Sequence, residues 1–125
     1  CGGYYGEGGG ELVVEKFQSK PWVGVDLDGT LAMWEAGSFD GSIGEPVPAM
    51  LNRVRAWLAV GLTVKIFTAR AADPTLIPGV RQWLSQHGLG DLEITNAKDM
   101  DMVEMWDDRA VSVVRNTGVA MRPLY

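Results

Sequence analysis

Hydrophobic positions along the chain fall into short clusters separated by polar and Gly-rich stretches: Leu12 to Phe17, Trp22 to Val25, Leu62 to Phe67, Leu92 to Ile94 and Val103 to Trp106. Their shortness and β-branched content predict strands. A further short strand is expected at Val111 to Val114. Between the second and third clusters the period changes. After Pro46 and Pro48, the residues Val47, Leu51, Val54 and Leu58 recur at helical spacing, with Met50 and Trp57 widening the apolar stripe. Gly61 supplies the stop for this amphipathic helix. A second helix is expected from near Pro78 to His87, burying Val80, Trp83 and Leu84 and stopping at Gly88, with Asp73-Pro74 as a competing start signal. Strands separated by helices predict an α/β fold, with a mainly parallel sheet and helices on both faces.

Length adds one constraint. With 125 residues the chain suits a single domain, residues 12–125, preceded by a Gly-rich leader, residues 1–11. Hydrophobic residues at 46% and charged residues at 22% are ordinary globular values, and no apolar run is long enough for a bilayer, so no membrane partner is expected. The net charge of −5 argues against a protein whose main task is to coat nucleic acid. Cys1 is the only cysteine, which excludes an internal disulfide, and the opening CGGYYGEGGG lacks the pattern of a secretory signal. The expectation is a cytoplasmic domain.

The acids have a particular distribution. In an open parallel sheet, functional groups gather beyond the carboxyl ends of the strands. Here Trp22 to Val25 runs into Asp26-Leu27-Asp28-Gly29-Thr30, Leu62 to Phe67 into Thr68-Ala69-Arg70, and Val103 to Trp106 into Asp107-Asp108-Arg109. Lys98 lies in the loop before the last of these. Taken singly, Asp28-Gly29-Thr30 is also an ordinary turn, Thr68 a helix cap and Asp107-Asp108-Arg109 a solvated loop. Together they place four carboxylates and a hydroxyl at one crevice. Such carboxylates repel one another unless a cation sits among them, and a hard, oxygen-liganded ion such as Mg²⁺ suits them.

DLDGTL, IFTAR, the Lys of ITNAKD and WDDRA, in this order, resemble the four signatures of the haloacid dehalogenase superfamily of hydrolases. The likeness spans roughly Trp22 to Asn116. It implies a Rossmann-like fold and a magnesium-dependent phosphomonoester hydrolase. By that resemblance Asp26 is the nucleophile that becomes an aspartyl phosphate, and Asp28 is the general acid and base, its backbone carbonyl also serving the metal. Thr68 donates to a phosphoryl oxygen and Lys98 balances the transferring group. Asp107 is a metal ligand, and Asp108 either a second ligand or an outer anchor. Gly29 and Thr30 let backbone amides approach the phosphate. Arg70 and Arg109 either bind substrate or pair with the acids.

Only Ala32 to Glu45 and Ala71 to Thr95 are free to form a cap, too little for an independent one, so the site should be open or closed by a second subunit in a homo-oligomer. Within the superfamily the motifs look most like the phosphatase domains of phage polynucleotide kinase-phosphatases, which remove 3′ phosphates from nucleic-acid ends. Against that, no basic residue falls between Thr30 and Arg53. The final DDR is shared with deoxyribonucleotide phosphatases, so the substrate is expected to be a phosphorylated small molecule, a nucleotide or a nucleic-acid 3′ end. Trp34, in the loop after the first motif, is the candidate stacking surface. An alternative of another class is a phosphate- or partner-binding module without turnover.

Overall fold

The computed structural model describes residues 20–35 and 39–121. The leader and the strand expected at Leu12 to Phe17 lie outside them. The fold is α/β. Four strands, β1 (Trp22–Val25), β2 (Thr63–Phe67), β3 (Glu93–Thr95) and β4 (Met102–Trp106), form one parallel sheet in the order β3-β2-β1-β4. Two helices, α1 (Pro48–Ala59) and α2 (Ile77–Gln86), connect β1 to β2 and β2 to β3.

Both helices start and stop on local chemistry. Pro48 opens α1 at its first turn, where its fixed φ is already helical and no backbone N–H is needed. At the far end Gly61 takes φ +90, which lets Gly61 N–H donate to Leu58 O at 3.0 Å and Leu62 N–H to Trp57 O at 3.0 Å. The same closure ends α2, with Gly88 at φ +76 and Leu89 N–H on Leu84 O at 2.8 Å. In both cases the residue after the glycine turns the chain back along the helix. Before α2, the Asp73-Pro74 start signal produces only a short 3₁₀ turn, Pro74–Leu76, whose cap is the Asp73 carboxylate accepting from Thr75 N–H at 2.9 Å.

The core lies between the helices and one face of the sheet. Val23 and Val25 stand in register with Val64 and Ile66, and all four pack with Met50, Leu51 and Val54 of α1 and Val80, Trp83 and Leu84 of α2. Burying each such side chain contributes roughly 1.5–3 kcal/mol. Helices on both faces were expected, and the described residues place both on the same face. The cause is handedness. The steps β1 to β2 and β2 to β3 move in one direction across the sheet, and right-handed crossovers in one direction deliver their helices to one side. The other face carries Trp22, whose ring lies 4.4 Å from the Lys65 ammonium and whose Nε1 donates to Asp99 at 2.9 Å.

The strand expected at Val111 to Val114 is not formed. Only an isolated antiparallel bridge, Val113 with Ala120, occurs there, and Val111, Val113 and Val114 are exposed.

Candidate active site

After β3 the chain returns past β2 and β1 to add β4 on the far side, so the direction of winding reverses between β1 and β4. That is where an open parallel sheet offers a crevice at its carboxyl edge. Asp26 follows β1 and Asp107 follows β4. Their alignment depends on a bulge. Trp22 pairs with Met102 but Val23 pairs with Glu104, so Val103 is the extra residue, and from there Val25 meets Trp106. Asp26 N–H donates to Trp106 O at 2.9 Å, which brings the two following carboxylates side by side. Without the bulge Asp26 would lie opposite Trp106.

Carboxylate oxygens of Asp26, Asp107 and Asp108 lie within 4.8 Å of one another. Asp107 is held by accepting from Arg109 N–H at 2.7 Å, and Asp108 by donating its own N–H to the Thr30 hydroxyl at 3.1 Å. Burial first, then the charge of Asp107 and of Asp108, push the Asp26 carboxyl up to about 7, against the opposing donation of Leu27 N–H. The donor set is all oxygen and anionic, which fits a hard divalent cation such as Mg²⁺.

Gly29 is required here twice over. Its φ is +88, and a Cβ on it would lie 2.5 Å from Asp108 Oδ2. Gly29 and Thr30 were expected to let backbone amides approach a phosphate. Instead Gly29 N–H donates to Ala32 O at 2.8 Å, Thr30 N–H to Leu27 O at 3.2 Å, and the group that approaches Gly29 is the Asp108 carboxylate. Leu27, Leu31 and Ala32, all fully buried, anchor this turn to the core.

Asp28 and Arg70 pair with each other, the second of the two alternatives open for Arg70. The Asp28 side chain is not among the clustered carboxylates. Both its oxygens accept from Arg70, Oδ2 from Nε at 2.7 Å and Oδ1 from Nη2 at 2.9 Å. Any part Asp28 has in holding a cation therefore falls to its backbone. Arg70 lines the crevice but is only 5% exposed, and it also donates to the carbonyls of Gly41 and Ser42. The Asp28 carboxylate, two residues beyond Asp26, takes two of the guanidinium's donors where little water competes, a setting in which such a charge-assisted pair is strong.

Thr68 lines the crevice and also caps the 3₁₀ turn Ala69–Ala72. It is 2% exposed, and its oxygen accepts from Arg70 N–H at 3.1 Å, which leaves its hydroxyl proton for a ligand. Lys98 is exposed in the loop between β3 and β4 and does not line the crevice, whereas Asn96 does. Asn96 follows β3 directly and was missed, although the rule that polar residues after strands are functional applies to it as to Thr68.

The crevice has a volume of about 530 Å³, within the ~300–1,000 Å³ of small-ligand sites. Asp26, Asp28, Thr68 and Asp107 line its floor, and Trp34, Phe39, Phe67 and Leu76 add apolar walls. Trp34 and Phe39 come from the loop between β1 and α1, whose two sides are joined by Met33 N–H to Glu45 O and Val47 N–H to Leu31 O, both 2.8 Å. The Arg109 guanidinium stands 5.4 Å from the Trp34 ring centre. Comparison with protein-family models, curated proteins and solved structures finds no match to this chain. Among the described residues no helix is long and apolar enough to cross a membrane.

Proposed function

We propose that the protein is a magnesium-dependent phosphomonoester hydrolase with a Rossmann-like, uncapped fold of the haloacid dehalogenase type, working through an aspartyl phosphate on Asp26. The observation that carries this reading is the convergence of Asp26, Asp107 and Asp108 within 4.8 Å at the reversal point of the sheet. Bound Mg²⁺ supplies positive charge that offsets the carboxylates and the phosphoryl oxygens.

The residues then divide the work. An Asp26 oxygen bonds to phosphorus as the bond to the ester oxygen breaks, and Asp28 gives that leaving oxygen its proton. In the second half, water loses a proton to Asp28 and attacks phosphorus, which frees Asp26 and inorganic phosphate. The Thr68 hydroxyl and the Asn96 amide face the same crevice as donors to the phosphoryl oxygens. With Lys98 outside the crevice lining, charge balance rests more heavily on the cation.

A second reading, a phosphatase of nucleotides or nucleic-acid 3′ ends, is favoured by one feature. Trp34 with Arg109 beside its ring offers a face for a base and a charge for a neighbouring phosphate. One experiment tests both. Phosphate release is measured with Mg²⁺ and with chelator, across sugar phosphates, mononucleotides and a 3′-phosphorylated oligonucleotide. Mg²⁺-dependent release that Asp26→Asn abolishes is expected. Undiminished release in chelator or by Asp26→Asn would overturn the hydrolase reading, and preference for sugar phosphates would remove the nucleotide one. Binding of phosphate without any turnover would favour a recognition module.

A further inference from the structure

We propose that Arg70 is a positioning residue for Asp28, fixing the direction of the carboxylate that moves the proton and tying it to the loop backbone at Gly41 and Ser42. This inference rests on the hydrolase reading above. The guanidinium donates four hydrogen bonds, at 2.7 and 2.9 Å to the two Asp28 oxygens, 2.9 Å to Gly41 O and 2.8 Å to Ser42 O. Four of its five N–H donors are thus committed, which leaves too little to grip a phosphate. One of its faces is covered by Phe39, whose ring centre lies 4.8 Å from the guanidinium carbon, and the residue, although it lines the crevice, is only 5% exposed.

An Asp carboxylate has a broad, two-fold torsion about its last bond and does not hold its own direction. A planar fork with two parallel N–H bonds removes that freedom. Each Asp28 oxygen keeps a further lone pair beyond the one Arg70 uses, so the carboxyl group can still carry or accept a proton. In the first half of the reaction that proton passes from Asp28 to the leaving oxygen as its bond to phosphorus breaks and the Asp26–phosphorus bond forms. Arg70 touches neither of those bonds. Its effect on the reaction passes through Asp28.

Dependence on the leaving group separates this role from substrate binding. An alkoxide must be protonated as it departs, whereas 4-nitrophenolate leaves without help. The test compares kcat/KM, which reads only the steps up to the phosphoenzyme, for glycerol 3-phosphate and 4-nitrophenyl phosphate with Mg²⁺. Arg70→Lys keeps the charge but replaces the fork with a point donor. It is expected to lose on the order of tenfold or more on the alkyl ester, a fraction of the ~10²–10⁴-fold that general acid catalysis contributes because Asp28 itself remains, and little on the aryl ester. In an Asp28→Asn background the same change should cost nothing further, because the two act as one unit.

Equal losses on both esters, or an undiminished loss in the Asp28→Asn background, would overturn the positioning role. If the Lys variant melts below the assay temperature, Arg70→Gln is read on the same pair of esters. A wild-type protein that releases phosphate from neither these esters nor a mononucleotide or 3′-phosphorylated oligonucleotide, or an active Asp26→Asn variant, would instead overturn the hydrolase reading, and the role of Arg70 with it.

Discussion

Gly29 connects the first motif to the fourth through a contact that neither motif reveals alone. A side chain there would have to hold φ +88 and would meet the Asp108 carboxylate at 2.5 Å. Gly29→Ala should cost about 1–3 kcal/mol from backbone strain, and more if Asp108 cannot move aside. Because Asp108 is displaced, affinity for Mg²⁺ should fall as well. Melting together with a Mg²⁺ titration checks this, and a variant with wild-type affinity would detach Gly29 from the metal site. The glycine was legible in DLDGTL, but its neighbour was not. Sequence spacing reports which residues follow strands, and so it found Asp26, Thr68 and Asp107. It carries no information on which way a side chain turns once there, and so it left Arg70 open between substrate and an acid, and did not single out Asp28 as the acid on which Arg70 closes.

At the level of elements, the helices were the most legible part. Val80, Trp83 and Leu84 are buried as the stripe requires, and both stops fall at the glycines. Strand β1 matches its apolar cluster from end to end, while β3 is shifted one residue onward, to Glu93–Thr95, because its bounds follow pairing with Lys65–Phe67 and not its own hydropathy. The bulge at Val103 was invisible, since VEMW carries no turn or glycine signal, yet it sets the register that makes Asp107 the neighbour of Asp26.

The loop between β1 and α1 was expected to be too short for a lid, and it forms instead a wall of the crevice. Trp83 of α2 holds it by donating Nε1 to Gly44 O at 2.9 Å. Trp83→Phe keeps most of the apolar contact and strands that carbonyl. A loss of about 1–3 kcal/mol is expected, from the abandoned acceptor and the smaller ring. Thermal or urea unfolding gives the value, and an unchanged midpoint would mean that the loop is held without Trp83.

Across the whole molecule, the order β3-β2-β1-β4 does two things at once. It gathers both helices on one face, and it opens the crevice beside β1 where the acids collect. The sequence implied the parallel sheet, because helices separated the strands. It could not assign faces, since that follows from the direction of successive crossovers.

Concentrating Asp26, Asp107 and Asp108 at this one place gives the stability of the protein a definite pH dependence. The Asp26 carboxyl has an ordinary value of 3.8 and is raised to about 7 in the fold, by burial and by the two neighbouring acids. The folded protein therefore holds this proton more tightly than the unfolded chain does. The stability it contributes is complete below 3.8 and is lost as pH rises through about 7. In chelator, unfolding should accordingly become easier between those limits as far as Asp26 is concerned.

A divalent cation held as proposed would reverse the sign, because it would bind the folded, deprotonated cluster and stabilise by mass action. The shift in unfolding midpoint on adding Mg²⁺ should thus be larger near pH 8 than near pH 5, where a proton on Asp26 competes with the ion. Urea unfolding at both pH values, with Mg²⁺ and with chelator, measures it. The Asp26→Asn variant, which has no proton to lose at this position, should show a smaller difference between the two. A Mg²⁺ shift equal at both pH values, or greater at the lower, would mean that Asp26 is not among the groups that hold the cation.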